Sequence, residues 1–389
     1  MSDGHYLERA EDLIYIGQPD LTADEQEAVL GVLRRGWLTR GPECAAFEKE
    51  FCESVQASQA LMVSSCTAAL HLALLVQDIG PGDEVILPSL TFSATAHVVV
   101  QCGAKPVFAE IDPATYCLDP SHAESLITPR TRALMAVHFG GHPADLKRLR
   151  DIASRHGIAL IEDAAHGLGG AIDGTPVGAA PSIACFSFYS TKNITTAEGG
   201  MLADPDPARL KRAERLSRHG MDTDAWVRQE GEAPVWRYVV DEIGYKYNAN
   251  DLLAALGRIQ LKRLQEMQQK RAQAWSFYQE MFSDDDRLAP PQISIGMTHA
   301  MHLYLLRLCD ECSADRDEVV TTLRSKGIGA TVHYDPVHLQ PVYQKRFGTR
   351  KGQLPVTEKI ASRILSLPMH SRMTDQQANR VSIELLRIL

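Results

Sequence analysis

No apolar run in this chain approaches the roughly 20 residues needed to cross a bilayer, which excludes a helical membrane span. It has no excess of basic charge: 40 Lys and Arg stand against 49 Asp and Glu, a formal net charge of −9. That balance argues against a nucleic-acid partner, because phosphate backbones require a basic face, although a local pocket for one or two phosphates stays open. The opening stretch MSDGHYLERAEDLIYIG lacks both the basic start and the apolar core of a secretory signal. Also missing are G-x-G-x-x-G behind a strand and G-x-x-x-x-G-K-[ST], so neither the dinucleotide fold nor the P-loop has its fingerprint. Cysteine is sparse. Cys44, Cys52, Cys66, Cys102, Cys117, Cys185, Cys309 and Cys312 are scattered and suggest buried thiols of a reducing compartment. The lone C-x-x-C of Cys309 and Cys312 has no second pair or histidines at zinc spacing, so no metal is expected. There is no internal repeat and no low-complexity tract. These absences point to a cytoplasmic protein that works on neither nucleic acid nor membrane.

What remains is an alternation. A length of 389 residues allows two domains. LTADEQEAVLGVLRRG has helical periodicity, with Thr22 as N-cap and Glu25 completing a capping box. From about residue 60 to 205, apolar runs (ALMVSS, DEVILPS, KPVFAEI, RALMAVHF, IALIEDAA, ACFSFYS, GGMLAD) alternate with helical stretches such as TAALHLALLVQ and PADLKRLRDIASRHG. This is the pattern of an α/β fold with a mostly parallel sheet, covered by helices on both faces. Beyond it, NANDLLAALGRIQLKRLQEMQQKRAQAWSFYQEMF is expected to form one long helix linking two lobes. SDDDRLAPPQ is a connector, and the remainder fits a small strand–helix–strand unit. The expected division is a large domain over 1–255 and a smaller C-terminal α+β domain over 256–389.

In open α/β sheets ligands bind beyond the carboxyl ends of the strands. Ser65, Cys66 and Thr67 follow ALMVSS where a strand turns into a helix, a place for an anion or for a plain N-cap. Thr91 and Phe92 follow DEVILPS, where the aromatic either covers a planar ligand or joins the core. Glu162 and Asp163 end IALIED; a carboxylate there caps the next turn or faces a ring nitrogen that must stay protonated. His166 lies one turn on. After ACFSFYS comes Lys192, set among Ser187, Ser190, Thr191, Thr195 and Thr196, with no charged neighbour before Glu198 and a Gly-Gly pair behind it, either an ordinary loop lysine or an amine held ready for chemistry. A phosphate cradle, an aromatic, a carboxylate and an amine, taken together, match pyridoxal 5'-phosphate: its aldehyde needs a lysine and its ring nitrogen an acidic partner.

The motifs SSCTAALHLAL, VILPSLTFSATA, IEDAAHGLGG, FSFYSTKNITTAEGGML, SRHG, GYKYNANDLLAALGRIQL and VHYDPVHLQPVY resemble those of the DegT/DnrJ/EryC1/StrS family of sugar aminotransferases, from about RRGWLTRGPECAAFEKEF to the carboxyl terminus. The resemblance implies the type I, aspartate aminotransferase-like fold of pyridoxal-phosphate enzymes. It makes Lys192 the lysine of the Schiff base and the proton shuttle, and Asp163 the partner of the ring nitrogen. His166 would contact the 3'-oxygen or ring where many members have glutamine. Phe92 would stack on the ring, and Cys66, Thr67 and Ser187 would bind the phosphate. Asn248 would be lent to the phosphate of a neighbouring subunit, giving a homodimer with shared active sites. His333 matches a substrate-side histidine of members acting at a 4-keto position, and Thr39 lies in the segment that lines the substrate side in relatives, either as a substrate contact or as a plain turn residue.

The activity so implied moves an amino group from L-glutamate to a keto group, at C4, of a nucleotide-linked 4-keto-6-deoxy sugar, as in deoxyamino sugar biosynthesis. C3-aminating, inosose and aminobenzoate-forming relatives share the cofactor motifs. Dehydrating relatives have histidine in place of the lysine, and a catalytically silent scaffold would not need the whole Lys192, Asp163 and Ser187 set. Arg218, Trp226, Arg228 and Trp236 either bind a nucleotide or pack at the dimer interface.

Overall fold

In the computed structural model, which describes residues 13–179, 181, 183–223 and 237–389, the seven apolar runs become the strands of one sheet. They are β1 (Ala60–Val63), β2 (Glu84–Pro88), β3 (Lys105–Ala109), β4 (Thr131–Val137), β5 (Ala159–Asp163) and, after the short β6 (Ala171–Ile172) and β7 (Thr175–Pro176), β8 (Ile183–Ser187) and β9 (Gly200–Ala203). The order is β1-β9-β8-β5-β4-β2-β3. β3, β2, β4, β5 and β8 pair in parallel, while β9 runs antiparallel to both β8 and β1. All strands except β9 therefore bring their carboxyl ends to one edge.

Side chains along each strand alternate between two separate cores. Val85 and Leu87 pack on one face and Ile86 on the other; Met135 parts in the same way from Leu134 and Ala136, and Cys185 from Ala184 and Phe186. Burial on both faces is the reason these strands carry unbroken apolar runs. The covering helices are α1 (Ala23–Arg35), α2 (Pro42–Val55), α3 (Cys66–Leu75), α4 (Ser93–Gln101), α5 (Pro120–Ser125), α6 (Leu146–His156) and α7 (Pro207–Ser217). α1 starts with the expected capping box, the Thr22 N–H donating to Glu25 Oε2 at 2.7 Å. α3 is apolar nearly all round, and every residue from Ala68 to Leu74 is buried.

The expected single long helix is two helices, α8 (Asp251–Lys262) and α9 (Leu264–Phe282), joined at Arg263 with φ −93° and ψ 0°. Side-chain anchoring holds the joint: the Arg263 guanidinium donates to Glu25 (2.7 Å) and to the carbonyl and carboxylate of Asp20 (3.0 and 3.1 Å). Helical periodicity carries no sign of such tertiary anchoring. α9 still bridges two cores, with Met267 in the core of the large sheet and Trp275, Tyr278 and Phe282 in that of the second lobe.

That second lobe holds β10 (Leu288–Ala289), β12 (Tyr304–Leu308) and β13 (Ile364–Leu367) as an antiparallel sheet, while β11 (Met297–Thr298) pairs with β6. α10 (Arg316–Ser325) and α13 (Asp375–Ile388) complete its core, while α11 (Pro341–Phe347) packs Tyr343, and α12 (Pro355–Ala361) packs Ile360 and Ala361, into the cores on the two faces of the large sheet. Ile14 forms a bridge with Ile328 and packs in this second core. Among the described residues no helix is long and apolar enough to cross a membrane.

Candidate active site

A cavity of about 560 Å³ lies at the edge where the parallel strands end. Ser65, Cys66 and Thr67 reach it after β1, Thr91 and Phe92 after β2, Asp163 and His166 from the end of β5, and Ser187 and Lys192 from the end of β8. His302, His333 and Tyr334 close it from the second lobe.

The turn after β1 is both an N-cap and an open donor site. Ser65 caps α3, its Oγ accepting from the Ala68 N–H at 3.1 Å. The N–H groups of Cys66 and Thr67 open the helix, where no intrahelical acceptor exists and the dipole favours an anion. The Gly-Gly pair behind Lys192 explains itself here. A Cβ on Gly200 would lie 2.4 Å from the Ser65 carbonyl carbon and 2.5 Å from the Cys66 nitrogen, and one on Gly199 would lie 2.3 Å from Thr196 Oγ1. Only glycine lets the start of β9 pass this close beneath the turn. The Cys66 thiol itself donates to the Cys185 carbonyl at 3.4 Å, and burial, reinforced by the Asp163 charge, pushes its pKa well up. Cys66 therefore offers the site its backbone N–H.

Asp163 both caps a turn and faces the cavity. Its Oδ1 accepts from the Ala165 N–H at 3.1 Å and its Oδ2 from Thr95 Oγ1 at 2.8 Å. Thr95 is locked in turn against Thr91, the two hydroxyls 2.8 Å apart. Burial raises the Asp163 pKa, and the hydrogen bonds from Thr95 and Ala165 and the charge of Lys192 work against that rise. The Lys192 amine is pushed down to about 8, first by burial, with Cys66 and Asp163 pulling the other way. The hydroxyls around it mostly build its loop: Thr195 Oγ1 donates to the Phe188 carbonyl (3.3 Å) and accepts from the Ala197 N–H (2.9 Å), and Thr196 Oγ1 donates to the Glu198 carbonyl (2.7 Å). Ser187 lies on the cavity wall, its Oγ accepting from the Tyr189 N–H at 3.3 Å.

His166 is buried, and its Nδ1 accepts from the Gly140 N–H at 3.2 Å, which puts the proton of the neutral ring on Nε2, 3.4 Å from Tyr334 Oη. Burial and the neighbouring Lys192 charge hold it well below the usual histidine range. His333 is lowered to about 4 by the same two causes, with Nδ1 2.7 Å from Ser366 Oγ. Phe92 is 57% exposed at the cavity, 5.5 Å from the Tyr334 ring, so its reading as a core residue does not hold.

Eight of the ten residues given a role by the family resemblance thus share one cavity: Cys66, Thr67, Phe92, Asp163, His166, Ser187, Lys192 and His333. The other two lie outside it. Asn248 bridges Val63 beside β1, and its Oδ1 is buried without a partner among the described residues. The Thr39 carbonyl accepts from the Asp251 N–H at 3.2 Å, at the start of α8. Arg218 is buried against Glu214 at 3.2 Å, while Trp226, Arg228 and Trp236 fall outside the described residues. Sequence reasoning missed Thr95, Tyr334 and His302. Thr95 had a signal, since it follows Thr91 by one helical turn; the other two come from the second lobe, which no local pattern aims at Lys192.

The donor set fits pyridoxal 5'-phosphate. The first N–H groups of α3 and the Thr67 and Ser187 hydroxyls suit the phosphate, Asp163 the ring nitrogen, Phe92 a ring face and Lys192 the aldehyde. The family model of the DegT/DnrJ/EryC1/StrS aminotransferase family matches residues 19–386. The chain belongs to that family. It is 42% identical over 371 residues to the spore coat polysaccharide biosynthesis protein SpsC of Bacillus subtilis, covering 95% of each chain. Among solved structures, the aminotransferase TlmJ from Streptoalloteichus hindustanus is 33% identical with a TM-score of 0.88, over 96% of this chain and 98% of that one. Helicobacter pylori PseC, an aminotransferase involved in the biosynthesis of pseudoaminic acid, is 28% identical with a TM-score of 0.89, over 97% and 99%. This member of the family is a pyridoxal-phosphate-dependent sugar aminotransferase with the type I fold.

Proposed function

We propose that the enzyme transfers the amino group of L-glutamate to C4 of a nucleotide-linked 4-keto-6-deoxyhexose. The observation that carries this reading is that Lys192, its amine lowered to about 8, shares one cavity with Asp163, His333 and Tyr334. The similarity of the GATVHYDPVHLQPVY segment to C4-aminating relatives supports the position, and the names of SpsC and PseC support a sugar acceptor.

When bound, pyridoxal phosphate supplies an aldehyde that exchanges amines and a ring that takes up the electron pair of the breaking C–H bond. The protein does the rest. The turn at Cys66 and Thr67 holds the phosphate, and Phe92 covers one face of the ring. Asp163, already accepting from Thr95 and Ala165, keeps lone pairs for the ring N–H and holds that nitrogen protonated. Lys192 is the base: near pH 7 a useful fraction of its amine is free, so it takes the proton from the α-carbon of glutamate and returns one to the sugar carbon. His333, neutral at that pH, hydrogen-bonds on the sugar side.

We further propose a homodimer in which Asn248, which lies outside the cavity of its own chain, completes the phosphate site of a second copy. Two experiments test the reading. Glutamate and a UDP-linked 4-keto-6-deoxyhexose are incubated with the loaded enzyme, and 2-oxoglutarate and the aminated carbon are identified by NMR. Amination at C3, or loss of a hydroxyl without release of 2-oxoglutarate, would overturn it. Sedimentation then reports the oligomer.

A further inference from the structure

His302 is 4% exposed and faces the cavity beside His166, ring centroids 4.5 Å apart. The residue after the reacting lysine determines its tautomer. Asn193 Nδ2 donates to the Ala300 carbonyl at 2.7 Å and the Leu168 carbonyl at 3.0 Å, and lies 3.5 Å from Gln268 Oε1. Carbonyls only accept, so the amide can be oriented in one way alone, with Oδ1 toward His302 Nδ1 at 3.1 Å. An amide oxygen only accepts as well, so the His302 proton sits on Nδ1. Nε2 is left as a bare lone pair on a cavity-lining ring.

His166 is the reverse case, accepting at Nδ1 and carrying its proton on Nε2. The cavity thus has two adjacent neutral imidazoles of opposite polarity, one a donor and one an acceptor. The two substrates differ in what they offer such a pair. An amino-acid donor brings carboxylates, which only accept and are repelled by a lone pair. A sugar brings hydroxyls, which can donate to one.

We propose that His302 Nε2, its tautomer set by Asn193, accepts a hydrogen bond from a hydroxyl of the keto sugar and so distinguishes the second substrate from the first. The inference rests on sugar amino transfer, not on which carbon is aminated or which nucleotide is attached. His302 is a specificity residue, and Asn193 a positioning residue that acts through it.

The test separates the two half-reactions. His302→Phe keeps a ring of similar size and removes the acceptor. Single-turnover absorbance of the cofactor follows first the reaction with L-glutamate, then reaction of the aminated enzyme with a UDP-linked 4-keto-6-deoxyhexose, or with scyllo-inosose if the wild type rejects that sugar. Loss of one buried hydrogen bond should raise the half-saturating sugar concentration about 10- to 100-fold, with the glutamate half-reaction within about threefold. Equal losses in both halves, or none in either, would overturn the proposal, whereas rejection of the UDP-sugar by the wild type overturns only the C4 nucleotide-sugar reading. A second readout needs no substrate. In enzyme labelled with ¹⁵N-histidine, the His302 resonances, assigned by their loss in His302→Phe, should show a protonated Nδ1 and an unprotonated Nε2; Asn193→Leu should mix the tautomers. A wild-type proton on Nε2 would sink the idea on its own.

Discussion

The two walls of the cavity are built differently. The wall from the large sheet consists of strand ends: Ser65, Asp163, Ser187 and Lys192 each follow a buried strand by zero to five residues, and the register of the sheet places them. The wall from the second lobe, with His302, His333 and Tyr334, comes from the segments before β12 and before α11, which are held by His333 Nδ1 at 2.7 Å from Ser366 Oγ and by the Leu303 and Val337 N–H groups donating to the Gly140 and Ser89 carbonyls (2.9 and 2.8 Å). A parallel sheet is rigid and holds the groups every turnover needs in fixed positions. The docked lobe meets that wall through side chains, His302 Nδ1 lying 3.1 Å from Asn193 Oδ1 and Tyr334 Oη 3.4 Å from His166 Nε2, and is the side proposed here to meet the sugar.

Substitutions should split along the same line. Lys192→Ala should lower turnover with any pair of substrates on the order of 10⁴-fold, because both halves lose their base, and a coupled 2-oxoglutarate assay reads it. Thr95→Val keeps the shape and removes the donor to Asp163 Oδ2, leaving a buried carboxylate oxygen unpaired; cofactor affinity should weaken by about 1–3 kcal/mol, with both half-reactions slowed, as read by cofactor titration. His333→Phe should leave the glutamate half-reaction within about twofold and weaken the sugar half about tenfold in single-turnover kinetics. If it slowed both halves alike, the division between the walls would fail.

The pH dependence tests the first wall more finely. An amine with its pKa lowered to about 8 is mostly protonated at pH 6.5 and mostly free above pH 9. Capture of pyridoxal phosphate by cofactor-free enzyme should therefore quicken by nearly tenfold per unit from about pH 6 to 7 and level off above about pH 8.5. An unshifted lysine would give a rate still climbing at pH 10. Thr95→Val should alter this profile, whereas His333→Phe should move it little.

The same division explains what the sequence revealed. The seven strands, Lys192, Asp163 and the anion turn were legible because each is local: an apolar run fixes a strand, and a polar residue just past it falls at the ligand edge. The Gly-Gly pair marked a close approach, though its target, the Ser65–Cys66 backbone, could not be named until β1 and β9 were seen to pair. Thr95 was overlooked because a hydroxyl inside a helix is usually a helix residue and nothing more. His302 and Tyr334 were beyond reach because their significance comes from contacts with residues more than 100 positions away. The break at Arg263 was hidden for the same reason, since its anchors are Asp20 and Glu25.

The proposed mechanism depends on Lys192 as the amine that reacts with the cofactor. The most direct measurement is to load the enzyme with pyridoxal 5'-phosphate, reduce it with sodium borohydride, digest it and map the modified peptide by mass spectrometry. One pyridoxyl group per chain is expected, on Lys192, and none after pretreatment with L-glutamate. A label on another lysine, or no label on a protein that still binds the cofactor, would contradict it.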